Sequence, residues 1–127
     1  MTETTQVELA KKPTNSHGLL FLQATLDHQK RIQAILESKN ISQDEFLILT
    51  TLLWCHENRK EPSPLLIAKH AKLNDDKVIE NIRSLATRKL VKPCVYEKNR
   101  HIQWIYLTKK GFDLVTKLVL MIGEIEK

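Results

Sequence analysis

The sequence predicts a mainly α-helical fold carrying one small β-hairpin, and three observations predict it. Apolar residues recur three and four apart through most of the 127 residues, as one face of a helix requires. Between Val91 and Leu107 that period gives way to alternation with β-branched and aromatic residues, the mark of paired strands. With 3 glycines and 4 prolines the chain also has too little turn chemistry for a many-stranded sandwich or a glycine-rich phosphate loop. Its length is that of one domain, and 42% hydrophobic against 28% charged residues is the balance of a chain that builds a core.

Each element has a local reason. Residues 1–16 are polar, contain Pro13 and show no apolar period, so they are expected to form a flexible tail ahead of a single domain over 17–127. From 17 to 39, Phe21, Ala24, His28, Ile32 and Ile35 fall on one helical face. Ser42 and Glu45 then write a capping box, with Ile41 and Phe46 placed for a hydrophobic staple, so a second helix starts at Gln43. Ser63 followed by Pro64 starts a short third helix over 64–71, because proline lacks an N–H that the first turn leaves unbonded anyway. After a turn at 72–74, Asn74 caps a fourth helix. Its buried row is predicted to be Val78, Ile82, Leu85 and Lys89, and its outer row Lys77, Glu80, Asn81, Ser84, Thr87 and Arg88. Strands over 91–96 and 102–107 flank a polar tip, and Thr108 caps a last helix over 109–125. That last helix is apolar most of the way round between Phe112 and Ile122, so it needs cover on more than one face. A second copy of the chain is the economical cover, which predicts a homodimer built from 17–39 and 109–127.

Charge is concentrated along the chain. The net +5 resides wholly in the segment from Asn74 to Gly111, where nine basic residues face Asp75, Asp76, Glu80 and Glu97. A localised basic zone is the footprint of a surface that meets a polyanion, since each neutralised phosphate releases counterions. A short helix, a three-residue turn, a longer helix with a polar outer row and a hairpin with a basic tip together make a helix-turn-helix with a wing. Such a unit fits double-stranded DNA: a helix enters the major groove, where base edges are distinguishable, and a basic hairpin reaches the neighbouring minor groove. On this reading Lys77, Asn81, Ser84, Thr87 and Arg88 face the major groove and Lys98, Asn99, Arg100 and His101 serve the wing.

The stretch ISQDEFLILTTLL from Ile41, the run PLLIAKHAKLNDDKVIENIRSLATRKLVK from Pro64 and above all IYLTKKG from Ile105 to Gly111 resemble the MarR family of winged helix-turn-helix transcription regulators. The leucine, threonine and glycine of the family's pattern are met by Leu107, Thr108 and Gly111. A single helix after the wing gives a layout similar to the abbreviated SarA-like regulators. The resemblance implies a homodimer on pseudo-palindromic DNA, often with an effector pocket between the dimer and DNA-binding parts; the chain is expected to act as a transcription regulator that represses, and its effector is unknown. Family wings usually carry Asp-x-Arg six residues before the leucine; here Asn99 and His101 hold those places, with Arg100 between them. Asp75 and Asp76 open the fourth helix, where carboxylates favour the helix dipole and repel phosphates. With Glu80 they leave open an alternative class of function, a winged-helix module that docks a protein instead of DNA.

Other chemistry finds no support. Cys55, His56 and Glu57 are adjacent, and neighbours on a helix diverge where a zinc site needs ligands converging from positions three or four apart. Cys55 and Cys94 read as buried thiols in a reducing compartment, the cytoplasm by default, and the histidines as surface residues. No nucleophile motif, paired-acid pattern, cofactor motif or membrane span is present in the sequence, so neither an enzyme nor a membrane protein is expected.

Overall fold

The computed structural model describes residues 17–98 and 101–125, so the expected tail, 1–16, lies outside the described residues. Five helices and one hairpin follow in order: α1 (His17–Ser38), α2 (Gln43–Glu57), α3 (Pro64–Ala71), α4 (Asp75–Thr87), β1 (Val91–Val95), β2 (Ile102–Leu107) and α5 (Lys109–Ile125). Packing divides the chain into two units, with the boundary inside α1 between Ala34 and Ile35. In the first unit, α1 exposes Leu20 (48%), Phe21 (63%), Leu22 and Leu26. The second unit, from Ile35 onward, holds a core in which Ile48, Leu49, Ile67, Ile82, Leu85, Ile105 and Leu118 are fully buried. Each such side chain contributes about 1.5–3 kcal/mol by leaving water.

The helix starts follow the sequence closely. Ser42 and Glu45 make both capping-box bonds: the Glu45 N–H donates to Ser42 Oγ (3.0 Å) and the Ser42 N–H to Glu45 Oε1 (2.9 Å). Ser63 Oγ accepts from the Leu66 N–H at 3.1 Å and Asn74 Oδ1 from the Lys77 N–H at 2.8 Å. Thr51 donates its proton to the Leu47 carbonyl (2.8 Å), so its oxygen accepts from His70 Nδ1–H (3.3 Å), while the His70 ring lies against Trp54 with centroids 4.6 Å apart. These contacts set α3 against α2.

The helix ends share one device. Asn40, Arg59, Lys72 and Lys89 take left-handed φ angles of 57°, 54°, 59° and 62°. The residue after each donates its N–H back five residues: Ile41 to Leu36, Lys60 to Cys55, Leu73 to Ala68 and Leu90 to Leu85. These are the outer bonds of the Schellman closure, usually built on glycine and here made four times without it; at Asn40 and Lys89 the inner bond is made too, to the Glu37 and Ala86 carbonyls. Lys89 therefore does not continue the buried row of α4 as predicted. The helix has closed by Thr87, and the left-handed turn leaves Lys89 exposed while Leu90 turns inward.

β1 and β2 pair antiparallel, with Val91 opposite Leu107 and Cys94 opposite Trp104. Past that pair the register slips by one, Val95 facing Ile102, so Gln103 is a one-residue bulge just before the tip. The Ile105 N–H points away from β1, donating to the Pro62 carbonyl at 2.9 Å. Its partner Pro93 thus occupies a non-hydrogen-bonded site, where a missing N–H costs the ladder nothing. On α5, Val115, Leu118 and Ile122 are buried, whereas Phe112, Val119 and Leu120 (66%) are exposed. No helix among the described residues is long and apolar enough to cross a membrane.

Candidate nucleic-acid interface

The candidate surface is α4 with the hairpin that follows it. At about 100° per residue, Asp76, Glu80, Arg83 and Thr87 lie opposite the buried row Val78, Ile82 and Leu85, and all four are exposed. Lys77, Asn81, Ser84 and Arg88 form a second row along one flank. Lys77 projects freely to solvent at the start of that row, and Asn81 is half-buried, its Nδ2 donating to the Lys77 carbonyl at 2.7 Å. Thr87 Oγ1 donates to the Arg83 carbonyl at 2.9 Å, a back-bond within the helix.

Ser84 and Arg88, predicted to meet the groove, are each engaged within the fold. The Ser84 hydroxyl donates to Glu45 Oε2 at 2.9 Å, while the other oxygen of the same buried carboxylate caps α2. The Arg88 guanidinium donates from Nη1 to the Asn40 carbonyl (2.6 Å) and from Nη2 to the Lys39 carbonyl (3.3 Å). Arg83 stands exposed on the outward face of α4, outside the set that the sequence assigns to the groove. Its spacing of one from Ile82 and three from Glu80 was the available signal, since that places it opposite the core.

On the hairpin, Lys98 and His101 are exposed, and the Tyr96 N–H donates to the His101 carbonyl at 2.8 Å across the base of the tip. Asn99 and Arg100 lie outside the described residues. The hairpin is locked to α5 by the Leu107, Thr108 and Gly111 set. The Thr108 hydroxyl donates to the Lys89 carbonyl (2.7 Å) and accepts from the Gly111 N–H (3.0 Å), and the Thr108 N–H donates to the Leu90 carbonyl (3.1 Å). A Cβ on Gly111 would run into the Leu90 carbonyl oxygen and lie 2.9 Å from its carbon.

Beside this junction a cleft of about 520 Å³ opens between the end of α2, the 58–62 loop, β2 and the start of α5. Leu52, His56, Tyr106 and Phe112 line it, with Arg59, Lys60 and Lys109 at its edges, and the His56 and Phe112 rings meet edge to face at 5.6 Å. Cys55 is buried at its base and burial pushes the thiol pKa up. Cys94 is only half-buried, which corrects the reading of both thiols as core residues. Among the described residues no three His, Cys, Asp or Glu side chains gather as metal ligands.

No protein-family model matches the sequence, and no curated protein matches it. Solved structures do. The Staphylococcus aureus MepR, a transcription regulator of the multidrug efflux pump MepA, superposes with a TM-score of 0.76 at 22% identity over 87% of this chain and 79% of that one. A MepR–DNA complex superposes at 0.68, again at 22% identity over 87% of this chain and 78% of that one. Bordetella bronchiseptica BpsR, whose DNA binding is regulated by 6-hydroxynicotinic acid, superposes at 0.66 with 21% identity over 89% of this chain and 78% of that one. The chain has the winged-helix fold of these MarR regulators. In that fold α3 and α4 form the helix-turn-helix and β1–β2 the wing.

Proposed function

We propose that this protein is a double-stranded DNA-binding transcription regulator, acting in the cytoplasm as a homodimer on a pseudo-palindromic site and repressing by occupying it. The observation that carries the reading is the coincidence of shape and charge. α4, the recognition helix of this reading, projects a solvent-facing row from a rigid helix-turn-helix, and the net positive charge of the chain lies between Asn74 and Gly111, the segment that runs from this helix through the wing into the first turn of α5. Lys77, Arg83 and Thr87 contact the major groove and its phosphates, with Asn81 reading a base from the flank, and the wing residues Lys98, Asn99, Arg100 and His101 meet the minor groove. Ser84 and Arg88 are held back from DNA by their bonds to Glu45 and to the end of α1. The cleft beside α5 offers aromatic walls and cationic edges to a small planar anion, the kind of site from which an effector would act.

Asp76 and Glu80 share the outward face of α4 with Arg83, and this observation favours the second reading, docking of a protein with a basic surface. Selection from a random duplex library, followed by a salt titration of the selected duplex, decides between them. DNA binding requires a symmetric selected site and a linear fall of log affinity with log salt, about 0.9 in slope per phosphate neutralised. No binding to any duplex at low salt overturns the regulator reading in favour of the protein partner.

A further inference from the structure

Resting on the DNA-binding reading, we propose that Arg88 is a positioning residue of the recognition helix: it fixes how α4 is turned toward DNA by gripping the end of α1, without contacting DNA itself. The Schellman closure at Asn40 uses the Leu36 and Glu37 carbonyls. It leaves the Lys39 and Asn40 carbonyls pointing outward from the negative end of the helix dipole. The guanidinium supplies both missing donors in one rigid fork, at 2.6 Å and 3.3 Å, and a cation at that end is electrostatically favoured.

One turn back on the same row, Ser84 donates to the Glu45 carboxylate that caps α2. The i, i+4 pair Ser84 and Arg88 thus ties one flank of α4 to both sides of the α1–α2 corner. On the far side, the Arg88 carbonyl accepts from Lys110 Nζ at 3.2 Å, so the end of α4 is also tied to α5. A rotation of α4 about its axis would break the Ser84 and Arg88 bonds together. Holding that rotation fixes which side chains, Lys77, Arg83 and Thr87 among them, point outward.

The test compares affinities of wild type, Arg88→Gln and Arg88→Lys for a duplex selected with the wild type and for a scrambled duplex of the same length, across a range of salt. A misdirected helix loses base contacts and keeps charge attraction. Both variants should therefore lose about tenfold or more on the selected duplex, with scrambled-duplex affinity and its salt slope unchanged. Lysine should not rescue, because a point charge cannot span two carbonyls. A merely structural loss would lower both duplexes equally, in proportion to the unfolded fraction, and would overturn the proposal. So would a phosphate contact, seen as full rescue by lysine and a slope reduced by about 0.9 in Arg88→Gln. If the Arg88 variants melt below the assay temperature, Ser84→Ala must show the same selective loss, about threefold or more, and an unchanged Ser84→Ala overturns the proposal. Wild-type protein that binds neither duplex overturns the DNA-binding reading and takes this proposal with it, an outcome distinct from all the others.

Discussion

Gly111 leaves no room for a methyl group, because the Leu90 carbonyl occupies the place of its Cβ. Gly111→Ala gains about 1 kcal/mol of helix propensity and must separate α5 from the β1 turn to do so. A net loss of about 1–3 kcal/mol is expected from such overpacking, read as a lower denaturant midpoint with the slope unchanged. The two thiols should differ just as clearly. Burial raises the Cys55 pKa, so its neutral form is favoured in the fold and its reactive thiolate appears only above the ordinary thiol range. That preference stabilises the protein below the unfolded thiol pKa and is lost as pH rises through the folded one. At pH 8 a disulfide reagent should modify Cys94 at once and Cys55 slowly. Cys94→Ser should abolish the fast phase, and a persistent fast phase would contradict the burial argument. At this scale the sequence was least legible where one residue's duty depends on a distant one. The bonds of Arg88 and Ser84 to Asn40 and Glu45 are such a case, because helical spacing cannot reveal acceptors more than thirty positions away.

Helix starts were readable because a capping side chain announces itself within four residues, as Ser42, Ser63 and Asn74 do. Helix ends were less so. The usual marker is glycine, and Asn40, Arg59, Lys72 and Lys89 stand where glycine is favoured, so spacing alone carries Lys89 into the buried row. A left-handed non-glycine residue costs about 1–2 kcal/mol, partly offset by the smaller entropy of the unfolded chain. Lys72→Gly, in the turn between α3 and α4, should therefore leave stability unchanged or raise it by up to about 1 kcal/mol. Thermal melting checks this, and a drop in Tm would mean that the Lys72 side chain carries a contact of its own. The hairpin was legible for a different reason: its alternation and its polar tip lie side by side in the sequence. The bulge at Gln103 was not, since nothing local distinguishes a slipped register from a regular one.

Each unit of the molecule presents large apolar side chains that it does not itself cover. On α5 these are Val119 (42%) and Leu120 (66%), and on the first unit of α1 they include Phe21 (63%) and Leu22 (53%). The sequence foretold this from the wraparound apolar pattern of α5; it could not foretell which residues stay bare, because that depends on which row the core of the second unit takes. Monomers rarely leave such surface open, and association is its ordinary use. Leu120→Glu tests the association without touching the core, since Leu120 already faces water in the single chain. Sedimentation should give the wild type the mass of two chains and the variant that of one, at equal concentration, with Tm falling only as the lost association requires. DNA should report the same change more steeply. Two wings joined in one dimer bind two half-sites with an effective local concentration, so separating them should weaken binding to a palindromic duplex by about 10²–10⁴-fold while leaving half-site affinity unchanged. A variant that keeps both the mass and the palindrome affinity of the wild type would move the interface away from α5, and a wild type that sediments as one chain would remove the homodimer altogether.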